Sequence, residues 1–366
     1  MKVWNATEKS ASRQAIAALE GGIGISTVMQ VDGDGGFRMS QNGPGIFEIT
    51  CESTLPPLVL TGGIHGDEKA GISILDSLID DIVSGNQRVK RSVLLMFGNL
   101  RAMQTNGFKG CRCIEDEVGE TSNLNRCFGR GYFETPRCYG EHRANEMMRA
   151  VEDFADTHGC PEVIDIHQSF AVPTLRDVRG GVADRSDYTY AMLYPVEDDL
   201  ASALGWIHEQ YSDIVAGAVV NDMQLRHHTF AGYMASTFGS RAATFEQGNI
   251  GYVDHSTFTP QLEDNLSRKI AGETKLDKME GFDVWRYLRQ IRKETKDFTF
   301  IDDEGNRTNA PLDFLPLPAG RIARDGHREH ELRMGERLLF ANSTVPIGDR
   351  AAAVIERLHT DLVPAP

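Results

Sequence analysis

The stretch LVLTGGIHGDE, residues 58–68, decides the fold of this chain. Its apolar start predicts a buried strand over 58–63, and the glycines that follow allow a tight turn into a helix. That helix is marked by apolar residues at helical spacing, Ile72, Leu75, Ile79 and Ile82. Gly85 is placed to end it. A buried strand joined by a short turn to an amphipathic helix is the basic unit of an α/β protein.

The same alternation of strand and helix continues along the chain. Apolar runs predict further strands at 92–99, 162–167 and 241–248, and helical periodicity predicts helices at 141–157 and 203–215. Strands that alternate with helices favour a mainly parallel sheet with helices on both faces. The sequence therefore predicts an α/β fold.

The two ends of the chain follow a different pattern. The first 55 residues contain Gly-rich turns between short apolar pieces, which predicts small antiparallel strands. Beyond about residue 275, turns containing Pro and Gly separate short strand-like runs. We predict a larger domain over 1–275 and a smaller β-rich domain over 276–366. The segment 107–138 is rich in Gly, Cys and charge and has no clear period, so it is predicted to be a long functional loop.

Composition excludes several classes of function. The chain of 366 residues has 38 Lys and Arg against 53 Asp and Glu, a formal net charge of −15. A chain this acidic repels nucleic acid and anionic membrane surfaces unless a local basic patch offsets the charge, and no run of basic residues does so. No stretch of about 18 apolar residues is present, and the N-terminus lacks the apolar core of a signal peptide. We expect a cytoplasmic protein that binds neither nucleic acid nor membrane.

The six cysteines are Cys51, Cys111, Cys113, Cys127, Cys138 and Cys160. In so long a chain without a signal peptide, they are expected to be reduced thiols rather than a disulfide framework. Four of them lie within 111–138, where a structural zinc site is the alternative. Because C-x-x-C pairs are absent, free thiols are favoured.

Three predicted strands end next to side chains that bind metals or transfer protons. His65 and Glu68 follow the first strand, His167 ends the third, and Glu246 lies near the end of the fourth. Ligands bind at this edge of an open α/β sheet, and two imidazoles with one carboxylate are the ligand set of a catalytic zinc ion. Taken singly, each residue is more often a hydrogen-bonded part of the core. Asp165, on the same strand face as His167, either orients that imidazole or forms an ordinary buried hydrogen bond.

A further motif, SNLNRCFGR at 122–130, extends this pattern. With GGIHGDE, DIH and TFEQG, in this order, it makes the chain resemble the succinylglutamate desuccinylase and aspartoacylase family of zinc hydrolases. The run LLFANSTVPIGDRAAAVI at 338–355 resembles the last segment of the desuccinylase branch. The resemblance covers most of the chain. It implies a zinc carboxypeptidase-like fold, with a mixed, mainly parallel sheet, helices on both faces and a smaller β-rich C-terminal domain.

The resemblance also implies roles for individual residues. The ligands of one zinc ion would be His65, Glu68 and His167. Glu246 would act as general base and acid. Asn125 and Arg126 would hold a substrate carboxylate, which suits the planar fork of an arginine, although a surface ion pair is the alternative for Arg126.

Two departures from the family pattern affect the remaining substrate contacts. The family places an arginine that polarises the scissile carbonyl shortly before the Asn-Arg pair, at a position that is Val118 here. Arg112 is the first substitute and Lys109 the second. After His167 the chain departs from the family's Ala-Ile-Arg-Gly-Ser, and the later run DRSDYTYAM makes Arg185 a candidate substrate contact.

The resemblance therefore implies a zinc-dependent amidohydrolase of an N-acyl amino acid, with N-succinylglutamate as the first candidate substrate. The alternatives are an aspartoacylase-like deacylase of another N-acyl amino acid, a metallocarboxypeptidase, and a metal-binding protein that has lost catalysis. The intact Glu246 argues against the last, because a binding protein needs no base at that position. The expected partner is a small anionic N-acyl amino acid, and the sequence leaves a homo-oligomer open.

Overall fold

The computed structural model describes eleven segments of the chain: residues 27–31, 36–115, 121–129, 131–169, 189–195, 200–221, 228–249, 259–273, 281–302, 304–308 and 312–358. The strands in these segments are β1 Thr27–Val31, β2 Phe37–Gly43, β3 Ile46–Cys51, β4 Leu58–Gly62, β5 Val93–Phe97, β6 Ile114–Glu115, β7 Thr121–Ser122, β8 Glu162–Ser169, β9 Tyr190–Leu193, β10 Gly217–Val220, β11 Ala242–Asn249, β12 Asp283–Arg292, β13 Thr299–Ile301, β14 Arg307–Thr308, β15 Gly320–Asp325, β16 Arg328–Leu332, β17 Glu336–Leu339 and β18 Arg350–Arg357. The α-helices are α1 Lys69–Ser84, α2 Leu100–Phe108, α3 Tyr139–His158, α4 Leu200–Tyr211, α5 Phe230–Phe238 and α6 Thr259–Ile270. A short 3₁₀ helix spans Leu124–Arg126.

Twelve strands form one sheet, in the order β1-β2-β3-β5-β4-β8-β11-β9-β10-β12-β18-β17. The neighbours β5, β4, β8 and β11 run parallel to one another, and so do β9, β10 and β12. These two groups meet antiparallel at β11 and β9, and antiparallel strands complete both ends of the sheet. The predicted mixed, mainly parallel sheet is confirmed, and so are antiparallel strands near the N-terminal end.

Helices cover both faces of this sheet. Successive residues of a strand point to opposite faces, and in β4 Val59 and Leu60 enter two different hydrophobic clusters. The cluster around Leu60 includes side chains of α1, α4 and α6, whereas the cluster around Val59 includes side chains of α3 and α5. Strands that are buried on both faces need apolar residues at every position, which explains the uninterrupted runs at β4 and β5.

Helix α1 forms as the sequence predicts. Its apolar stripe, Ile72, Leu75, Ile79 and Ile82, is buried against the sheet. Each buried aliphatic side chain of this kind contributes about 1.5–3 kcal/mol to stability. The helix ends where Gly85 adopts a φ of 77°, and the Gly85 N–H closes the last turn by donating to carbonyl groups of the helix.

The helix predicted over 203–215 occupies a different span. Helix α4 begins at Leu200 and ends at Tyr211, and residues 212–214 form a turn. Ile214 and Val215, which extend the helical period in the sequence, are buried in the core as the chain enters β10. The prediction was wrong here because apolar spacing alone does not separate the last turn of a helix from a buried turn.

The C-terminal part is rich in β-structure, as predicted, but three of its strands belong to the large sheet. Strand β12 pairs with β10, β18 pairs with β12, and β17 pairs with β18. The strands β13 to β16 form a separate four-stranded sheet, and its apolar side chains share a hydrophobic cluster with residues of β12, β17 and β18. The division into a larger domain over 1–275 and a smaller one over 276–366 stays a prediction. The main sheet continues across that boundary, because β12 pairs with β10.

The segment 107–138, predicted as a long loop, contains the strand pair β6 and β7, and the 3₁₀ helix follows it. All six cysteines of the chain are free thiols. The Cys111 thiol donates to the carbonyl oxygen of Cys113 at 3.0 Å, which folds the loop back on itself around Arg112. Within the described residues, no helix combines the length and the apolar character needed to cross a membrane.

Candidate active site

The sheet brings the predicted site residues together at one edge. Strand β8 lies between β4 and β11, and all three run parallel, so their carboxyl ends meet at the same edge. His65 and Glu68 follow β4, while His167 and Glu246 are directly paired in the register of β8 and β11. Residues that are far apart in the sequence therefore line one pocket, as expected for an open α/β sheet.

The loop between β4 and α1 is packed so tightly that it requires glycine. Gly63 has a φ of 72°, in the left-handed region, and a Cβ on Gly66 would lie 2.3 Å from the carbonyl carbon of Ala102. Glu68 is the N-cap residue of α1, but its side chain makes no capping hydrogen bond. The carboxylate of Glu68 is therefore directed into the pocket.

We call the residues His65, Glu68 and His167 the His–Glu–His cluster. The Nδ1 atom of His65 lies 2.7 Å from one carboxylate oxygen of Glu68, and the Nδ1 atom of His167 lies 2.8 Å from the other. One ligand atom from each residue lies within 4.8 Å of the other two, and all three side chains are buried. This is the one group of three or more potential metal ligands found among the described residues. The cluster could bind a metal ion.

Asp165 orients the imidazole of His167. The Nε2 atom of His167 lies 2.9 Å from Oδ2 of Asp165, and the Thr61 hydroxyl donates to the other oxygen of Asp165 at 2.6 Å. The carboxylate of Asp165 accepts a hydrogen bond from the Nε2–H group, which leaves Nδ1 as the nitrogen that faces Glu68 and would bind a metal ion. Of the two roles that the sequence allows for Asp165, the contact fits that of an orienting partner.

The electrostatics of the pocket fit a bound cation. Burial lowers the pKa of His65 to about 4, so its imidazole is neutral and able to act as a ligand at neutral pH. Burial opposes charge on Glu68 as well, but the two imidazoles hold the pKa of its carboxyl well below the ordinary value. Among the described residues, no hydrogen-bond partner reaches the buried Nε2 atom of His65, and two imidazoles with one carboxylate are a donor set that zinc favours.

Glu246 is buried on β11 beside the cluster. The Ser169 hydroxyl donates to Oε2 of Glu246 at 3.0 Å, and the Tyr190 hydroxyl lies 3.3 Å from that of Ser169. Burial raises the pKa of Glu246 to about 7, against the opposing charge of His167. A carboxyl group with a pKa near neutrality is suited both to accept and to donate a proton.

Asn125 and Arg126 lie in the 3₁₀ helix. The side-chain oxygen of Asn125 accepts from the Phe230 N–H at 3.0 Å, so its amide nitrogen is the group left to donate to a ligand. Arg126 is accessible to solvent, and its Nη1 donates to the carbonyl oxygen of Asn125 at 2.6 Å. Desolvation by the surrounding protein, together with the charges of Arg350 and Arg112, lowers the pKa of Arg126 to about 10.

The other candidate substrate contacts, Arg112, Lys109 and Arg185, do not share one location. Arg112 reaches the His–Glu–His cluster, where its Nη1 donates to Glu68 at 3.1 Å. Lys109 is exposed at the end of α2. Arg185 and Val118 lie outside the described residues. Arg112 is thus the one of the two proposed substitutes that contacts the cluster.

Sequence reasoning missed two residues that contact or approach Glu246, Ser169 and Tyr190. Ser169 lies two residues after His167 and so faces the same side of β8, a signal that was present in the sequence. Tyr190 is paired with Glu246 across antiparallel strands β9 and β11. This pairing has no local signal, because it depends on the order of strands in the sheet.

Comparison with known proteins gives a consistent result. The family model described as "Succinylglutamate desuccinylase/Aspartoacylase catalytic domain" matches residues 54–266, more than half of the chain. A protein of Pseudoalteromonas atlantica named succinylglutamate desuccinylase is 28% identical over 336 residues, which cover 85% of each chain. A protein of Shewanella amazonensis with the same name is 26% identical over 328 residues, again with 85% of each chain covered.

Solved structures show the same relationship at the level of the fold. A crystal structure of succinylglutamate desuccinylase from Vibrio cholerae has a TM-score of 0.73 and 20% identity, covering 97% of this chain and 96% of that one. A crystal structure of murine aminoacylase 3 has a TM-score of 0.53 and 16% identity, covering 84% of this chain and 96% of that one. At these identities the likeness shows the fold alone, and it confirms the predicted fold class.

Proposed function

The chain belongs to the succinylglutamate desuccinylase/aspartoacylase family, and we propose from that premise that it is a zinc-dependent amidohydrolase of N-acyl amino acids. The observation that carries the proposal is the meeting of the buried His–Glu–His cluster with Glu246 at the carboxyl edge of the sheet. N-succinylglutamate is the first candidate substrate, because the curated relatives with which the chain aligns over most of its length are named for that substrate.

The reaction adds water across the amide bond, giving a carboxylate and a free amino group. In the proposed site, the cluster residues His65, Glu68 and His167 would hold the zinc ion. When bound, the ion supplies a Lewis acid that polarises a carbonyl group and makes water more acidic. Side chains of the protein would transfer the proton, stabilise the developing charge and bind the substrate.

Glu246 is placed to move the proton. It takes one proton from the attacking water and delivers it to the departing nitrogen, so that the amine leaves neutral. The second proton of the water stays on the new carboxyl group and is then lost to the amine or to solvent, which gives the carboxylate. The Ser169 hydroxyl donates to one oxygen of Glu246 at 3.0 Å, and the other oxygen is proposed to carry the proton. Arg112, which contacts Glu68, is proposed to stabilise the negative charge that develops on the carbonyl oxygen.

Asn125 and Arg126 are proposed to bind a substrate carboxylate. An arginine forms two parallel charge-assisted hydrogen bonds to a carboxylate, and an amide nitrogen adds a neutral donor. Since the whole chain carries a net charge of −15, attraction of an anionic substrate has to come from a local group of positive charges. The earlier candidate Arg185 stays a proposal for the same role.

A metal and substrate panel tests the proposal. The purified protein is freed of metal with a chelator, reconstituted with zinc, and assayed on N-succinylglutamate, N-acetylaspartate, other N-acyl amino acids and a peptide with a free C-terminus. We expect activity to disappear with the metal, to return with zinc, and to have its highest kcat/KM on N-succinylglutamate. Full activity without metal would contradict zinc dependence, preference for the peptide would favour a carboxypeptidase, and no turnover of any substrate would favour a non-catalytic protein.

A further inference from the structure

Two hydroxyl groups, one from each strand that neighbours β11, lie in a row beside Glu246. The Ser169 hydroxyl of β8 donates to Oε2 of Glu246 at 3.0 Å. The Tyr190 hydroxyl of β9 lies 3.3 Å from the hydroxyl of Ser169. All three residues are buried, and Glu246 is the most exposed of them at 6%. We call these three residues the Tyr–Ser–Glu network.

The number of protons available fixes the direction of the two hydrogen bonds in this network. A serine hydroxyl has one proton to donate, and an ionised carboxylate can only accept. Since Ser169 donates its proton to Glu246, the Tyr190 hydroxyl has to donate to the oxygen of Ser169. Burial, together with the negative charges of Glu246 and Asp313, raises the pKa of Tyr190 well above its ordinary value. The phenol therefore keeps the proton that it donates.

The C-terminal part of the chain holds the ring of Tyr190. Phe314 packs against this ring with the ring centres 4.8 Å apart, and the centre of the Phe340 ring lies 6.4 Å away. Phe314 has a φ of 58° and Phe340 a φ of 57°, which residues other than glycine rarely adopt. The buried carboxylate of Asp313 holds this backbone by accepting from the N–H groups of Phe340 and Ala341 at 2.9 and 2.7 Å. Strain of this kind persists where surrounding contacts enforce it, and here it lies in the wall that supports Tyr190.

We propose that Ser169 and Tyr190 are positioning residues of Glu246, and that their two hydrogen bonds keep the transferred proton on the other carboxyl oxygen, Oε1. This inference rests on the proposed function, in which Glu246 takes a proton from water and delivers it to the departing nitrogen. Protonation at Oε2 would weaken the bond from Ser169, because the hydroxyl oxygen of a carboxylic acid is a poorer acceptor than its carbonyl oxygen. Protonation at Oε1 keeps that bond. Tyr190 acts only through Ser169, whose single proton it directs to Glu246.

Removal of each hydroxyl group tests the inference. Ser169→Ala deletes the donor to Glu246, and Tyr190→Phe deletes the donor to Ser169 but keeps the ring against Phe314. With the N-acyl amino acid that wild type hydrolyses best, we expect kcat to fall about ten- to hundredfold in Ser169→Ala and about two- to tenfold in Tyr190→Phe, the usual contributions of a hydrogen bond to a charged and to a neutral acceptor. The KM of both variants should stay within about twofold of wild type, because neither hydroxyl is proposed to bind the substrate. Zinc content should not change.

Combined variants show whether the effects pass along the network. Because Tyr190 acts through Ser169, the double variant should lose no more in kcat than Ser169→Ala alone. Because Ser169 acts through Glu246, Ser169→Ala should change kcat by less than about twofold when it is added to Glu246→Gln. The matched controls are Tyr211→Phe and Ser212→Ala, which each remove one buried hydroxyl at the end of α4 and should leave kcat unchanged.

Crystal structures of the variants provide a measurement that does not depend on activity. In Ser169→Ala we expect the carboxyl group of Glu246 to leave its position or to occupy a second one, while the backbone of β11 stays in place. Tyr190→Phe should show the same change to a smaller extent, and it keeps the whole ring, so it tests the network even where Ser169→Ala does not fold.

Several results would overturn the inference. They are an unmoved Glu246 in both variants, a kcat equal to that of wild type, a rise in KM in place of the fall in kcat, or a double variant that loses the product of the two single losses. A wild type that hydrolyses no N-acyl amino acid, together with a displaced Glu246 in Ser169→Ala, would overturn the proposed function and leave the positioning of Glu246 in place.

Discussion

The two sides of the proposed site are built in different ways. The His–Glu–His cluster comes from the ends of neighbouring parallel strands, and its three side chains are buried. The arginine side consists of the short 3₁₀ helix that carries Asn125 and Arg126, in the segment between the strand pair β6–β7 and helix α3. The ends of central strands keep their geometry when loops change, whereas loops can change length and side chains. We infer that the sheet edge determines the reaction and the arginine side determines the substrate.

The largest expected effect lies on the sheet side. Replacement of His65 or His167 by Ala should strip the metal and abolish turnover, because the two remaining ligands bind an ion too weakly. Metal content per chain, measured by elemental analysis, checks this directly. His327→Ala is the control, since His327 lies exposed in the turn between β15 and β16 and should keep full metal and activity. Full zinc occupancy in purified His167→Ala would remove that residue from the ligand set.

The second prediction separates proton transfer from metal binding on the same side. Glu246→Gln should keep the metal and lose about 10²–10⁴-fold in kcat, the usual contribution of a positioned general acid and base. An exposed carboxylate of the C-terminal sheet, Glu329, provides the control Glu329→Gln, which should change neither quantity. Loss of metal in Glu246→Gln would instead make Glu246 a ligand, and a near-normal rate would exclude it from the mechanism.

The sheet side could be predicted from the sequence because its signals are local. His65, His167 and Glu246 each lie at or just after an apolar run, and strand ends of a parallel sheet converge. The glycines beside His65 indicate the tight turn between β4 and α1. These features depend on the spacing of residues along a short stretch, so they can be recognised in the sequence before the strand order is known.

The contacts that support Glu246 could not be predicted in the same way. Tyr190 approaches Glu246 because β9 is inserted antiparallel between β11 and β10, which no local pattern indicates. Phe314, beyond the predicted domain boundary, packs on the ring of Tyr190 with the ring centres 4.8 Å apart, because the main sheet continues through β12, β18 and β17 across that boundary. Both contacts arise from pairings between strands that are remote in sequence, and these depend on the whole topology.

The third prediction tests how strongly the sheet side depends on the contact that orients His167. Asp165→Asn keeps the shape of the side chain but replaces a charged acceptor by a neutral one at 2.9 Å from Nε2 of His167. We expect a loss of about 10–100-fold in metal affinity or activity, as for other partners of metal-binding histidines. Thr61→Val, which removes the hydroxyl that holds Asp165, should have a smaller effect in the same direction. Unchanged metal affinity in Asp165→Asn would leave Asp165 as an ordinary buried hydrogen-bonding residue.

The smallest expected effect belongs to the arginine side, and it should leave the metal untouched. Arg126→Lys keeps the positive charge but loses the planar fork that binds a carboxylate through two parallel hydrogen bonds. A charge-assisted pair of this kind is worth roughly 1.5–3 kcal/mol, so kcat/KM on N-succinylglutamate should fall by about tenfold or more. Zinc content should equal that of wild type, because Arg126 makes no contact with the His–Glu–His cluster among the described contacts.

The substrate analogue in which the carboxylate facing Arg126 is an amide provides the matching control. Wild type should process this analogue poorly, and Arg126→Lys should process it almost as well as wild type does, since the fork no longer has a charged partner in either enzyme. An equal loss on both substrates would mean that Arg126 acts on the fold or on the metal site. No loss on either would mean that Arg126 recognises no carboxylate, and the division of the site into a reacting side and a selecting side would be wrong.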